Sequence, residues 1–110
     1  MTFSLRLYTL SLDAARMVGP LAKAIGRCDP DLARQLQRAL CSVHLNIAEG
    51  IDARGRTRPL RYETALGSTN ECIAALDVGE ALGYLDRDEA AHDKLQHVRA
   101  TLIKLVRRTR

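Results

Sequence analysis

Apolar residues recur along most of this chain at alternating steps of three and four, the spacing that places side chains on one face of an α-helix. The first such series comprises Leu7, Leu10, Ala14, Met17, Leu21 and Ala24. It predicts a helix over residues 5–26. Because proline lacks an amide hydrogen and clashes with the preceding turn, Gly19-Pro20 predicts a kink or a break within this helix.

A second helix is predicted over residues 30–53. Asp29 can cap its free amides, Pro30 suits the first helical position, and Asp31 meets the positive end of the helix dipole. Gly55 supplies a stop signal just beyond the end. The apolar face of this helix is formed by Leu32, Leu36, Leu40, Val43 and Ile47.

Two more helices are predicted over residues 58–83 and 87–108. Thr57 is the predicted cap of the third helix. Asp86 and Glu89 have the spacing of a capping box and mark the start of the fourth. The apolar positions are Tyr62, Leu66, Ile73, Leu76 and Leu82 in the third helix, and Ala91, Leu95, Val98, Leu102 and Leu105 in the fourth.

The connections between these helices are short, which makes antiparallel neighbours the simplest packing. We therefore predict an all-α fold, an up-down-up-down antiparallel four-helix bundle, as a single domain over residues 1–110. The composition agrees with a folded globular chain, with 46% hydrophobic residues, 27% charged residues and a mean hydropathy of -0.16. The heptad-like steps favour a crossing angle of about +20°.

Localisation and redox state follow from what the sequence lacks. The segment Met1–Leu12 is too short and too mixed for a secretory signal, and no apolar run approaches the roughly 20 residues that span a bilayer. We expect a cytoplasmic protein with no membrane partner. Cys28, Cys41 and Cys72 are odd in number and form no CxxC pair, so they are expected to be reduced and buried.

Polar residues interrupt the apolar pattern in two places. The first is Asn46-Ile47-Ala48-Glu49-Gly50, and the second is Gly67-Ser68 with Glu71 downstream. A hairpin that turns near Arg56 would set Asn46 level with Gly67, where a mid-helix glycine usually marks a close backbone approach. It would also set Glu49 level with Glu63. Asn46 is then either a hydrogen-bonded residue that fixes helix register or part of a ligand site.

The run Gln37-Arg38-Ala39-Leu40-Cys41-Ser42-Val43 leads into Asn46-Ile47-Ala48-Glu49-Gly50, and Gly67, Ser68 and Glu71 follow in order. With these residues the chain resembles the bacterial 23S rRNA intervening-sequence (S23) protein family. The resemblance covers about Leu10 to Leu105. The chain departs from the family pattern in having Thr69-Asn70 before Glu71, and few aromatic residues between Pro59 and Leu66.

The resemblance implies a closed four-helix bundle that assembles into a homopentameric ring. It also implies a relation to the nucleic-acid-binding accessory proteins of diversity-generating retroelements. It implies no catalytic activity, and it makes the eight motif residues structural: Asn46, Ile47, Ala48, Glu49, Gly50, Gly67, Ser68 and Glu71.

Basic residues are unevenly distributed in a chain whose net charge is +4 and whose pI is about 9.3. An up-down bundle brings the N-terminus, the second loop and the C-terminus to one end, which we call the basic pole. Asp52 and Glu63 are the acids expected there. The proposed nucleic-acid contacts at or near this pole are Arg54, Arg56, Arg58, Arg61, Lys104, Arg107, Arg108 and Arg110.

Such a pole would attract phosphates, so RNA or DNA is a predicted partner. The chain has no Trp and one Phe, which argues against base stacking and favours recognition of charge and shape. The alternative interpretation is simpler, because arginines at a helix C-terminus stabilise the dipole and keep a surface soluble.

Signals for catalysis or metal binding are weak. Glu89 and His92 have the ExxH spacing of di-iron bundles, which need two such pairs, and one is present. Cys41 and His44 are three residues apart on the second helix and could share a face, with Cys72 across the hairpin; packing and subunit contact are the favoured explanation. No nucleophile triad, phosphate loop or HExxH motif occurs. We therefore predict no catalytic residue, metal, cofactor or small-molecule substrate.

Two hypotheses about function are favoured over a third, a metal-dependent bundle enzyme. The first is a non-enzymatic homo-oligomer, pentameric by resemblance, that binds RNA or DNA through its basic pole. The second is a structural or protein-interaction scaffold without a nucleic-acid ligand.

Overall fold

Four α-helices account for most of the chain in the computed structural model, which describes residues 2–110 and so leaves out Met1. They are α1 (Phe3–Gly26), α2 (Pro30–Asp52), α3 (Thr57–Ala81) and α4 (Glu89–Thr109). α1 packs on α2 and α4, and α3 packs on α2 and α4, with the α2–α3 packing the most extensive. The predicted all-α, four-helix architecture is confirmed. The molecule measures 43 × 23 × 18 Å.

None of the helices between residues 2 and 110 is long and apolar enough to cross a bilayer.

The buried face of α1 departs from the predicted one after Ala14. Val18 and Ile25 are fully buried, whereas the predicted Met17 and Leu21 are only partly covered. Five turns at 3.6 residues per turn lead from Leu7 to Ile25, so a straight helix shifts the buried stripe by one residue relative to a heptad pattern. The full buried set is Leu7, Leu10, Ser11, Ala14, Val18, Ala22 and Ile25.

The predicted break at Gly19-Pro20 does not occur, since α1 runs without interruption from Phe3 to Gly26. Pro20 is exposed, so the carbonyl that loses its helical hydrogen bond lies on the solvent side. Water can satisfy that carbonyl, which allows the helix to continue.

α3 buries small side chains and leaves several of its large ones outside. The predicted Leu66 and Ile73 are half-buried, and Leu82 is 59% exposed. The interior face consists instead of Pro59, Tyr62, Ala65, Thr69, Cys72, Ala75, Leu76 and Gly79. In α4, by contrast, every predicted core position is buried.

Helix starts agree with prediction in α2 and differ in α3 and α4. The Asp29 carboxylate accepts a hydrogen bond from the Leu32 amide at 3.0 Å. α3 has no side-chain cap, because Thr57 is already its first helical residue. In α4 the cap is Asp88, which accepts from the Ala91 amide at 3.0 Å. Asp86 lies too far upstream to reach these amides.

Candidate nucleic-acid interface and the adjoining motif

A small hydrogen-bond network joins α2 to α3 at the polar motif. The Asn46 side-chain amide donates to the Ser42 carbonyl at 2.9 Å and lies 3.1 Å from the Ser42 hydroxyl. The Ser68 hydroxyl donates to the Ser42 hydroxyl at 2.8 Å across the helix pair. Ser42 therefore links Asn46 to Ser68 across the two helices. Sequence reasoning missed Ser42, whose position one turn before Asn46 was the only signal that could have indicated this role.

The close helix approach lies at Gly50, not at Gly67 as predicted. A Cβ built on Gly50 would stand 2.5 Å from Cε1 of Tyr62, whose side chain is 1% exposed. Gly67 is exposed, and a Cβ there would have no neighbour within 4 Å. Gly50 is thus required for the packing of the Tyr62 ring between the helices.

The register of the α2–α3 hairpin explains this difference. Ser42 and Ser68 are equidistant from Gly55, which adopts a φ of 60° that favours glycine. The turn is therefore centred one residue before the predicted Arg56, which moves each cross-helix partner by two positions.

The acidic residues near this hairpin form ion pairs that differ from those expected from the predicted register. Glu49 pairs with Arg61 at 2.9 Å, so the predicted placement of Glu49 opposite Glu63 is wrong. Glu63 pairs with Arg110 at 2.9 Å.

The other motif residues have separate surroundings. Ile47 is fully buried in the core, and Ala48 is partly buried beside it. Glu71 is exposed and makes no ion pair among the residues described. The motif is therefore a packing and register element for most of its length, and Glu71 stands apart from it.

The α2–α3 loop and the C-terminal end of α4 meet at the basic pole. They enclose a cleft of about 430 Å³ lined by Arg54, Gly55, Arg58, Arg108 and Thr109. The Arg108 guanidinium also lies 4.8 Å from the centre of the Phe3 ring, a cation–π distance that joins α1 to the same end. The structure thus brings together arginines from distant parts of the sequence.

Arg58 forms one wall of the cleft and is committed to the backbone of α2. Its Nε donates to the carbonyls of Gly50 and Ala53 at 3.2 and 3.0 Å, and its Nη2 donates to Ile51 at 3.1 Å. The last carbonyls of a helix lack helical partners and carry the negative end of the dipole, so a guanidinium there is stabilising. Arg58 therefore holds the end of α2 and shapes the cleft, and its Nε and Nη2 atoms are already engaged by carbonyls.

The remaining predicted residues fall into two groups. Arg61 and Arg110 are held in the exposed ion pairs with Glu49 and Glu63, which are weak in water and can rearrange. The other group is exposed and forms no ion pair within residues 2–110: Arg54, Arg56, Lys104 and Arg107.

The opposite end of the bundle is rich in acids. The α1–α2 and α3–α4 loops meet there, since the Tyr84 hydroxyl donates to Asp29 at 3.3 Å. These loops and the helix starts beside them carry Asp29, Asp31, Asp86, Asp88 and Glu89. Charge is therefore separated along the long axis of the molecule, and the positive end is the one with the cleft.

A polar cluster near the acidic end was not predicted. His92 Nε2 lies 2.7 Å from Glu80 Oε2, and the ligand atoms of Asp77, Glu80 and His92 lie within 4.8 Å of one another. Such atoms could hold a metal ion, but the Arg87 guanidinium lies 3.4 Å from Glu80 and 3.8 Å from Asp77 and already supplies the positive charge. The Glu89 carboxylate accepts a hydrogen bond from Arg87 at 2.7 Å. Within the described residues, Glu89 is therefore not grouped with His92 around a common metal position, as the ExxH spacing would require.

Of the three cysteines predicted to be buried, one is buried in the structure. Cys72 is buried, and burial together with Glu71 raises the pKa of its thiol to about 12. Cys28 and Cys41 are exposed, which corrects the prediction that all were buried. His44, next to Cys41, lies 2.6 Å from the Ser11 hydroxyl and packs edge-on against Tyr8, and burial lowers its pKa.

The fold and the interface define an all-α four-helix protein with a hydrogen-bonded α2–α3 hairpin and an arginine-lined cleft at one pole. The chain belongs to the 23S rRNA-intervening sequence protein family, which it matches over residues 4–104. It is similar to the crystal structure of a Bacteroides thetaiotaomicron protein of unknown function from the S23 ribosomal protein family. That likeness has a TM-score of 0.87 and 21% identity, and covers 96% of this chain and 99% of the other. Among curated proteins we found no match.

Proposed function

We propose that this protein is a non-enzymatic, self-associating scaffold that binds RNA or DNA through its basic pole. The observation that carries the proposal is a set of exposed basic side chains that form no ion pair within residues 2–110, at the end of the molecule away from the acidic loops. Arg54 lines the cleft, and Arg56, Lys104 and Arg107 lie in the segments beside it. Such a surface attracts phosphates, and its affinity depends on salt. The family takes its name from the intervening sequence of 23S rRNA, which makes RNA the first ligand to test.

The contacts expected at this pole are to phosphate and sugar. The Arg108 guanidinium covers one face of Phe3 and the Tyr62 ring is buried, so aromatic surface for base stacking is limited at this pole. Phosphate contacts position a nucleic acid without reading its sequence. The proposed binding therefore depends on charge and shape.

Self-association is part of the same proposal. The family resemblance implies a homopentameric ring, and a ring would repeat the basic pole around its axis. Exposed apolar side chains on the described surface support contacts between copies: Leu5, Tyr8, Leu45, Leu60, Val78 and Leu82. The same residues favour the second candidate, a protein-interaction scaffold, if nucleic acid does not bind. The cytoplasmic location stays a prediction.

The proposal is tested by titrating a structured RNA and a duplex DNA of equal length with the protein at about 50 and 200 mM salt. If the four unpaired basic residues each contact one phosphate, the slope of log K against log salt on the duplex is about -3.6. Affinity then falls on the order of 10²-fold between the two salts. No binding at the lower salt would leave the interaction-scaffold alternative.

A further inference from the structure

One face of α3 points away from the bundle and is nevertheless largely apolar. Leu60, Val78 and Leu82 are 59%, 45% and 59% exposed. They belong to a row that occupies about a quarter of the helix circumference at 3.6 residues per turn. The row, which we call the α3 face, comprises Leu60, Thr64, Gly67, Glu71, Ala74, Val78 and Leu82.

Gly67 lies on this face one turn before Glu71, and no contact among the described residues requires a glycine there. Gly50 and Gly79 are each in close contact with a neighbouring side chain, whereas Gly67 has open space around it. Glycine inside a helix is unfavourable relative to alanine, so an exposed mid-helix glycine is explained by a close approach from outside. Ala74, two turns further along the same face, also has a small side chain and would allow the same close approach.

A second apolar surface lies on α1 and α2. Leu5, Tyr8 and Leu45 are 49%, 38% and 59% exposed. Leu45 lines a groove of about 260 Å³ between the two helices, Tyr8 packs on His44 of its lining, and Leu5 lies one turn before Tyr8. We call this surface the α1–α2 face. The groove is lined by Leu12, Ala15, Leu40, Cys41, His44 and Leu45.

The two faces carry opposite charges. Glu71 on the α3 face and Arg38, one turn before Cys41 on the outer side of α2, are both exposed. Neither forms an ion pair within the described part of the chain. Both faces thus have exposed apolar side chains, and one carries an unpaired acid where the other carries an unpaired base.

We propose that the α3 face of one copy packs against the α1–α2 face of a second copy, with Glu71 of the first beside Arg38 of the second. This inference rests on the proposed self-association and identifies its two surfaces. The α3 face is about 33 Å long at 1.5 Å per residue. With the roughly 10–12 Å diameter of a helix, this face supplies on the order of 350 Å² of the roughly 800 Å² per partner of a standard interface.

The geometry of such a contact has a consequence for assembly. Because the two faces are different, each copy keeps one face free after pairing, and the contact is head-to-tail. Copies then add to form a ring if the rotation between neighbours closes, and an open filament if it does not.

The test is sedimentation velocity on the full chain and its charge-reversed variants. Glu71→Arg and Arg38→Glu are each expected to shift the protein toward monomer, and the double variant is expected to restore association, because reversal on both sides recreates the pair. Ala100→Glu, at an exposed position of α4, is the matched control and is expected to leave association unchanged.

A steric variant tests the same interface independently of charge. Gly67→Leu is expected to dissociate the assembly. Gly67→Ala in dilute, monomeric protein reports on folding, since alanine at this open helical position should raise the melting temperature of the monomer. Wild type that is monomeric at all concentrations would contradict the proposed self-association. Wild type that associates, with the charge reversals and Gly67→Leu associating equally well, would overturn the assignment of these faces.

Discussion

At the scale of single residues, the two glycines of the motif region have opposite surroundings. Gly50 is confined against the buried Tyr62 ring, and Gly67 is open to solvent. The hydroxyl of Tyr62 is itself buried without a hydrogen-bond partner among the described residues. The packing of the ring, and not a polar contact of its hydroxyl, therefore explains why residue 50 has no room for a side chain.

The first prediction concerns stability at these glycines. Gly50→Ala should lower the free energy of unfolding by about 1–3 kcal/mol, because the added methyl group overlaps the Tyr62 ring. Gly67→Ala should raise the free energy of unfolding of the monomer by up to about 1 kcal/mol, because it removes only the helix penalty of glycine. Urea denaturation of dilute protein measures both, and equal effects at the two positions would contradict the register described above.

The second prediction concerns the thiols. Cys72, with its pKa raised to about 12, should not react with a thiol reagent at neutral pH in the native state, whereas Cys28 should react readily. Cys41 should react in dilute protein and become protected at concentrations where copies associate, because it lines the α1–α2 groove. Mass spectrometry of the labelled chain distinguishes the three, and rapid labelling of Cys72 would be inconsistent with its burial.

At the scale of helices, the sequence pattern was most informative where one face is apolar and the other polar. α4 meets this condition, and all its predicted core positions are buried. α1 is long enough for the difference between 3.5 and 3.6 residues per turn to shift its buried stripe. α3 is apolar on two sides, so periodicity alone could not identify the inner one.

The candidate site was predictable to a similar extent. The up-down order of the helices places the α2–α3 loop and the C-terminus at the same end of the bundle. The basic pole could therefore be predicted from the sequence. The contacts of Arg58 could not, because they are made to backbone carbonyls whose position depends on how α2 ends. The partner of Asn46 was missed because the expected contact was across the hairpin, whereas Asn46 donates to Ser42 one turn earlier on α2 and Ser42 makes the cross-helix hydrogen bond to Ser68.

A third prediction separates structural from binding arginines. Arg58→Ala should lower the free energy of unfolding by about 1–2 kcal/mol, since three α2 carbonyls lose a charged donor at a half-buried position. Arg56→Ala, at an exposed position two residues away, should change it by less than about 0.5 kcal/mol. Thermal and urea denaturation test this. A larger loss for Arg56→Ala would refute the capping assignment.

A fourth prediction concerns pH. Burial lowers the pKa of His44 below its ordinary value of 6.5, so the folded chain binds fewer protons there than the unfolded chain. Stability should therefore decrease as the pH falls through 6.5 and level off below the folded pKa. His44→Gln should lose less stability than wild type between about pH 7.5 and 5 in urea denaturation. Identical pH profiles would show that His44 does not contribute.

At the scale of the whole molecule, the distribution of charge matters more than its total. A net charge of +4 is modest, but acids gather at the α1–α2 and α3–α4 loops and unpaired basic residues gather at the other end. A head-to-tail assembly of copies would multiply this asymmetry. The central claim is that nucleic acid binds at the basic pole, and it depends on the position of the charges.

The most direct measurement of that claim compares two variants that each lose three positive charges, by fluorescence anisotropy with one labelled RNA. Arg54, Arg56 and Arg107 are changed to alanine in the first, and Lys23, Arg27 and Lys94, toward the acidic end, in the second. The first should bind at least about tenfold more weakly than wild type and show a salt slope smaller by about 2 (~0.7 per phosphate contact on a single strand), while the second stays close to wild type. Equal weakening in both variants, or none in the first, would contradict binding at the basic pole.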